Sequence, residues 1–378
     1  MTTRDEIKAR IDQDGIEFLL VQFVDLNGSA KVTMVPASEL DACIDTGAGY
    51  AGAALWGLGQ GPHDHDMLAR VDLDSYTPLP WKPNTARLAG NLYVDDEPHP
   101  YCARTNMVRV LDAARQQGYV FNIGMEPEHF LVTRNEDGSI SPWDPGGVDH
   151  LEKPCYDFRS MAPAMDYLQE LTSSLNGLGW GVYQTDHEDG NGQFEIDFMY
   201  RDGLTMADRF VFFRHLIQEL AHRRGYFASF MPKPFADRAG SGAHYNMSLA
   251  DIRSGENLFT SDDDPRGCGI TELGYWFIGG ILKHLPALSA VISPTVNSYK
   301  RLIKTGSMSG FTWAPVFACF GNNNRTNSIR VPLGGERVEL RAADIANNPY
   351  LGGAMVLAAG LEGVREKIDP GPPHTENM

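Results

Sequence analysis

The order in which segments follow one another constrains this chain most: short β-rich runs joined by turns fill the first hundred of its 378 residues, and long helical patterns begin only afterwards. Glu17 to Phe23 is a β-rich run, Asp25-Leu-Asn-Gly28 has turn chemistry, and Ala30 to Val35 answers it as a hairpin partner. A glycine-rich loop follows from Gly47 to Gly61, and a further strand covers Leu88 to Val94. Asp95 to Pro100 has the composition of a connector, so the domain boundary is expected there, giving units 1–100 and 101–378. The patterning then predicts helices over Asn106 to Gln117, Ala162 to Leu178, Thr205 to Arg224 with Thr205 as N-cap, Thr271 to His284, and Asn348 to Lys367. A strand over Val120 to Gly124 runs into Glu126. Strands and helices do not alternate regularly, which favours an α+β fold with a large curved antiparallel sheet flanked by helices over a doubly wound one.

A net charge of −17 disfavours nucleic acid or an anionic membrane as the main partner, because phosphate surfaces are bound by positive ones. Five cysteines, odd in number and without a Cys-x-x-Cys pair, fit a reduced, cytoplasmic protein. The N-terminus is charged with no apolar core, and no run approaches the ~18 consecutive apolar residues of a membrane span, so a soluble cytosolic chain is expected.

Six groups able to bind a metal are scattered among those runs. Glu126 and Glu128 stand in Met-Glu-Pro-Glu, Glu188 in Asp-His-Glu-Asp-Gly, Glu195 in Gly-Gln-Phe-Glu-Ile and Glu339 in Val-Glu-Leu-Arg, with His244 the one nitrogen donor. Many carboxylates and one imidazole suit Mg²⁺ or Mn²⁺ better than zinc or copper, which points to phosphate chemistry. One residue apart on a strand, Glu126 and Glu128 share a face, and Pro127 between them argues for an edge or bulged position. Glu188 and Glu195 flank a glycine-containing turn that lets the chain fold back and bring them together. His244, Asn246 and Ser248 alternate onto one strand face, and Arg325 and Arg330 flank a polar turn suited to bidentate phosphate contacts. Taken singly, each has a plainer reading: a solvated acidic strand end, a hairpin, a satisfied histidine, a charged loop.

Together, from Phe18 to Pro370, these features resemble glutamine synthetase and its relatives. The resemblance rests on Phe23-Val-Asp-Leu-Asn-Gly28, Glu126-Pro-Glu128, Gln193-Phe-Glu195, Met231-Pro-Lys-Pro234, Gly240-Ser-Gly-Ala-His-Tyr-Asn-Met-Ser248, Pro294-Thr-Val-Asn-Ser-Tyr-Lys-Arg301, Asn324-Arg325, Ser328-Ile-Arg330 and Asn348-Pro-Tyr350. It implies a small N-terminal β-grasp-like domain beside a large catalytic domain. It also implies a ring-stacked homo-oligomer, a dodecamer, whose active sites are shared between subunits. The implied chemistry is phosphorylation of the γ-carboxylate of L-glutamate by ATP, followed by attack of an amine on the γ-glutamyl phosphate. Two or three divalent cations are implied, one nearer glutamate on Glu128, Glu188 and Glu195, another at the ATP phosphates on Glu126, His244 and Glu339. Arg325 and Arg330 match arginines that act on the phosphoryl group and nucleotide, and Ser248 with Asn246 matches the nucleotide contact. Gly240, Arg301 and Arg341 match the grip on glutamate, which makes Glu128, Arg301 and Arg325 the catalytic candidates.

The departures bear on the amine. Common glutamine synthetases place an Asp in the N-terminal glycine-rich loop and a Glu before the Ala-Pro pair of the flap, where ammonium is bound. Here the loop has no acid between Gly52 and Gly61, the first being Asp64, and Trp313 precedes Ala314-Pro315. Asn246 stands where the family often has His, and Ala239 where a glutamate-contacting Asn is usual. Trp313, Trp56 and Tyr50 are candidates for an aromatic wall around an alkylammonium ion. This pattern is similar to the type III glutamine synthetase-like subgroup, which includes γ-glutamylmethylamide synthetases, so methylamine is the expected acceptor and ammonia the alternative. Asp64, His65 and Asp66 are weak candidates for the base. Relatives run on for several dozen residues beyond Met378, so a short C-terminal part is expected. A catalytically silent scaffold is a further alternative, against which the six ligand candidates and both arginines argue.

Overall fold

The turn chemistry of Asp25 to Gly28 makes a hairpin of Phe18–Val24 and Ala30–Pro36: Asp25 Oδ1 accepts from the backbone N–H groups of Asn27 at 2.9 Å and Ser29 at 3.0 Å, and Gly28 takes φ of 78°. The protein is described here by a computed structural model covering residues 2–305 and 313–378. Its first sheet runs in the order Ala30–Pro36, Phe18–Val24, Lys82–Val94, Met67–Val71, Ala48–Tyr50, with Phe18–Val24 parallel to Lys82–Val94. Two segments read as loop and connector each contribute a short strand, Ala48–Tyr50 and Glu97–Pro98. A helix, Arg4–Gln13, lies beneath the sheet although the sequence there reads only as polar: Thr3 and Glu6 close a capping box, and Ile7 and Ile11, one turn apart, pack with Leu19 and Leu88. Two apolar residues make too narrow a stripe to announce a helix by periodicity.

The second sheet builds the site. Its strands lie in the order Val182–His187, Gln193–Phe198, Tyr119–Arg134, Ala243–Asp251, Val338–Leu340, Ile329–Val331, Phe320–Asn322, antiparallel except for the last pair. The run read as Val120 to Gly124 is the start of the long Tyr119–Arg134 strand, which is central and not at an edge. Pro127 is accommodated because pairing to Gln193–Phe198 stops at Glu128, opposite Glu195, and resumes with Arg201–Asp202 opposite Ile123 and Asn122. The proline thus falls where no ladder bond is missed on that side.

Long helices Ala103–Gln116, Met165–Gly177, Gly203–Arg223, Glu272–Ile292 and Pro349–Glu366 share one apolar core with this sheet. The N-cap of Gly203–Arg223 is Asp202, whose carboxylate accepts from the Thr205 N–H at 3.2 Å, and not Thr205 itself. Glu272–Ile292 continues past His284 and through Pro286, because Leu285, Leu288 and Ile292 stay buried and outweigh the one lost backbone bond. By length and composition this helix could cross a membrane; here it packs closely on Pro349–Glu366, where a Cβ on Gly280 would come within 2.0 Å of Ala359 O. All five cysteines are free thiols.

Asp208 ties the two sheets together. Its carboxylate takes a bidentate pair from Arg104, Nε at 3.0 Å and Nη2 at 2.9 Å, plus the Tyr350 hydroxyl at 2.5 Å, while Arg104 also reaches Asp72 at 2.7 Å. Burial pushes the Asp208 carboxyl up, but Arg104 outweighs it, so the folded pKa lies below the ordinary value. Its contribution to stability is therefore fully present above the unfolded pKa of about 3.9 and is lost as pH falls through the lower folded value. Asp208→Asn is expected to destabilise by about 3–5 kcal/mol at neutral pH, since it leaves a buried guanidinium uncompensated. It should also flatten the acid limb of a stability profile measured by urea unfolding; an unchanged limb would show that the pair carries none of the acid sensitivity.

Candidate active site

Pairing register lays the acidic side chains out as a grid. Asp186 stands opposite Glu195, and Glu195 opposite Glu128. On the next strands Glu126 stands opposite His244, and Asn246, Glu339 and Arg330 face one another in sequence. His244 Nδ1 lies 3.3 Å from Glu126 Oε2 and 3.5 Å from Glu339 Oε1, while its Nε2 lies 3.6 Å from Glu128 Oε1. Donor atoms of Glu126, His244 and Glu339 all fall within 4.8 Å of one another, as do those of Glu128, Glu195 and His244. Glu188 lines the same cavity outside these two groups. Glu128 is oriented by its other oxygen, which accepts from the Gly242 N–H at 2.9 Å and from Gln193 Nε2 at 3.1 Å. Gly242 has to be glycine: a Cβ there would lie 2.7 Å from His244 Nε2 and 2.9 Å from Glu128 Oε1.

Crowding of like charge shows in the proton affinities. Burial and the neighbouring Glu128 push Glu188 up to about 8. Burial and Glu188 hold Glu195 well above the carboxylate range. Burial and Glu126 push Asp197 up to about 8. His244 is pulled down to about 3 by burial and by Arg341, so its ring is neutral and free to act as a ligand. Buried carboxylates that repel one another around a neutral imidazole are the donor set of a hard divalent cation, so the residues present fit Mg²⁺ or Mn²⁺.

The arginines fall into two kinds. Arg301, only 4% exposed, is fixed by backbone, Nη1 donating to Ala342 O at 3.1 Å and Nη2 to Arg341 O at 3.0 Å. Gly240 packs directly on it. Arg325 is exposed and lines the cavity mouth. Arg330 Nη1 donates to Glu339 Oε2 at 2.8 Å, and Arg341 pairs closely with Glu339 Oε1. Burial pushes the Glu339 carboxyl up, yet Arg341 more than offsets it and holds it below the usual range. Two residues read as substrate arginines are thus ion-paired to a residue read as a metal ligand. No motif spacing shows that pairing.

A second cavity adjoins the first, sharing Glu126, Tyr183, Asp197 and Arg337 with it, and contains Asn246 and Ser248. Asn246 bridges Glu126 Oε1 at 2.7 Å and Arg337 Nε at 2.8 Å. Of the aromatic candidates, Trp313 lines the first cavity. Tyr50 does not: its hydroxyl donates to Val21 O at 2.5 Å and its ring packs edge-on against Phe23, inside the first sheet. Trp56 is 79% exposed and lines neither cavity within one chain. Asp64, His65 and Asp66 sit at a separate loop cavity, with His65 Nδ1 2.6 Å from Asp95 Oδ1. The structure adds Cys155, Tyr156, Tyr183, Asp186, Asp197 and Arg337 to the lining. Period-two alternation with Glu188 and Glu195 was the sequence signal for Asp186 and Asp197. Tyr156 carried none, although its φ of 62° marks a held backbone.

Fold and site define a ligase of the glutamine synthetase class. Residues 100–378 match the family model for the catalytic domain of glutamine synthetase, and this chain belongs to that family. It is 43% identical over 374 residues to the glutamate–methylamine ligase of Methyloversatilis universalis, covering 99% of this chain and 83% of that protein. It is 40% identical over 356 residues to the glutamine synthetase of Rhizobium leguminosarum bv. phaseoli, covering 94% of this chain and 80% of that one. Among solved structures it is similar to the GmaS complex with ADP, with a TM-score of 0.92 at 41% identity over 100% of this chain and 85% of that chain.

Proposed function

We propose that this chain joins a small amine to the γ-carboxylate of L-glutamate at the expense of ATP, with methylamine as its preferred amine. The observation that carries the proposal is the convergence of two carboxylate–imidazole groups and the arginines in a cavity continuous with the one lined by Asn246 and Ser248. The similarity to a methylamine ligase supports the amine. The two sheets are proposed as two domains meeting at Asp95 to Pro100.

In this proposal Glu128, Glu188 and Glu195 hold one Mg²⁺ or Mn²⁺, and Glu126, His244 and Glu339 another. Bound there, the cations neutralise phosphate charge. Arg301, already locked by two backbone carbonyls, and Arg341 with the Gly240 backbone orient glutamate. An oxygen of the γ-carboxylate attacks the γ-phosphorus of ATP and the bond to ADP breaks. Arg325 and Arg330 stabilise the charge spread over the transferring oxygens, with Asn246 and Ser248 holding the nucleotide. The bound alkylammonium ion first gives up a proton to become the free amine; its nitrogen then attacks the acyl carbon, phosphate leaves with the electrons of the broken carbon–oxygen bond, and the nitrogen gives up a second proton. Trp313 and Tyr156 offer aromatic surface to an alkylammonium ion, worth ~0.5–2 kcal/mol. One methyl in an apolar site adds only ~1–3 kcal/mol, so ammonia is a weaker acceptor and not an excluded one. Glutamine formation from ammonia is the second possibility, favoured by the rhizobial relative. Trp56, exposed in its own chain, is proposed to face the site of a neighbouring copy in a homo-oligomer working in the cytoplasm.

The experiment that tests the intermediate uses glutamate carrying ¹⁸O in its γ-carboxylate. Transfer of one ¹⁸O into the released phosphate is expected; phosphate free of label would rule out acyl phosphate chemistry.

A further inference from the structure

A cavity of about 730 Å³ lies between the first sheet and the start of helix Gly203–Arg223, and it shares no lining residue with either cavity of the acidic site. Arg87 enters it from strand Lys82–Val94, Arg209 from that helix, and Arg10 from helix Arg4–Gln13. Among the described residues no carboxylate comes within ion-pair distance of these three guanidinium groups. Each lies over an aromatic ring instead. Arg10 is 4.7 Å from the ring centre of Tyr76, Arg87 5.3 Å from that of Phe212, and Arg209 5.1 Å from that of Trp180. The Phe212 and Trp180 rings are themselves in contact, 6.1 Å between centres, so Arg87 and Arg209 stand on one aromatic base. A ring behind a guanidinium leaves its N–H edges open.

Hydrogen bonding gives the cavity its sign. Its aspartates are all engaged: Asp72 and Asp208 accept from Arg104, Asp14 from the Tyr76 hydroxyl, Asp74 from the Thr2 N–H and Asp202 from the Thr205 N–H. The arginines are not. Arg87, only 3% exposed, spends Nη2 on Asp208 O at 2.9 Å and keeps Nε and Nη1 buried without an acceptor, and Nη1 of Arg209 is buried without one as well. Every unpartnered buried side-chain atom of this wall is thus a donor on a cation. Burial pulls Arg87 below its ordinary value despite the nearby Asp208, and pulls Arg209 down to about 10. Buried polar groups are almost always satisfied, so these donors mark a missing acceptor.

We propose that this cavity is a ligand site distinct from the acidic one, and that it binds a small phosphate-bearing anion through Arg87 and Arg209, with Arg10 adding charge. Guanidinium edges match pairs of phosphate oxygens. The open donors come from two different elements, so the ligand has to accept along more than one direction, which the oxygens of a phosphate do and a flat carboxylate does not. Because Arg87 belongs to the first sheet and Arg209 to a helix packed on the second, the anion also ties the two together and stabilises the folded chain.

The test is calorimetric titration of the full chain with pyrophosphate, orthophosphate and ribose 5-phosphate in buffer free of divalent cations, glutamate and amine. Its outcome is therefore independent of the proposed reaction, since the acidic site without cations repels anions. Pyrophosphate is expected to bind and to raise the melting temperature. Arg209→Ala and Arg87→Met are each expected to weaken it about 10–100-fold, the worth of a hydrogen bond to a charged group, while Arg325→Ala leaves it unchanged. Tighter binding of ribose 5-phosphate than of the inorganic ions assigns an organic phosphate to the site; the reverse order assigns a free one. No binding of any of the three at millimolar concentration overturns the proposal. So does an affinity unchanged in Arg209→Ala, or one lost in Arg325→Ala instead. If Arg87→Met does not fold, the half-buried Arg209 decides alone.

Discussion

Glu128→Gln is expected to lower kcat by about 10²–10³-fold, the range found when one preorganised electrostatic group is removed from an active site. The substitution keeps the shape of the side chain and an oxygen to accept the Gly242 N–H, so the 2.9 Å anchor survives. What it removes is one of the charges that push Glu188 and Glu195 up. Without metal, the variant should therefore melt at or above the wild-type temperature. With Mn²⁺ the order reverses, because a cation that binds only the folded state stabilises in proportion to its affinity. Thermal melts with and without Mn²⁺, beside steady-state phosphate release, check both halves. A variant that kept most of its turnover would remove Glu128 from the chemistry.

Arg325→Ala is expected to produce the other large effect, a loss in kcat on the order of 10³-fold, comparable to removing an arginine that stabilises a transferring phosphoryl group. Because Arg325 is exposed at the cavity mouth, its removal should leave the melting temperature within about 1 °C of wild type. Arg330→Ala makes the contrast. It releases the 2.8 Å pair with Glu339, a buried carboxylate, so that variant should lose stability as well as rate. Equal stability losses in the two variants would contradict the division into an exposed arginine and an ion-paired, structural one.

Much of this was legible because it depends on local rules. The hairpin at Asp25 to Gly28 follows from turn chemistry, and the shared face of Glu126 and Glu128 follows from the period of a strand. The last helix, expected to begin at Asn348, is likewise local, and the structure shows why it begins there: the Asn348 side chain accepts from the Tyr350 and Leu351 N–H groups. What was not legible depends on partners distant in sequence. Glu339 is ion-paired to Arg330 because Ile329–Val331 and Val338–Leu340 are registered side by side, and Arg341, two residues along its own segment, closes on its other oxygen. Tyr50 is withdrawn from any amine site by a backbone carbonyl in another strand of its own sheet. Pro127 suggested an edge or bulged position, and only the interrupted ladder beside it shows how a central strand tolerates it. Asp186 and Asp197 lie between these cases: alternation put them on the ligand face, but only the pairing of their strands shows that they meet.

The amine decides the central claim. Product formation from ATP and glutamate, followed by mass at matched free-base concentrations of ammonia and methylamine, gives kcat/KM for each. The account predicts a preference for methylamine of about 10–200-fold, the worth of one methyl group in an apolar site, with γ-glutamylmethylamide as the product. A clear preference for ammonia would contradict it and make glutamine the product of this site.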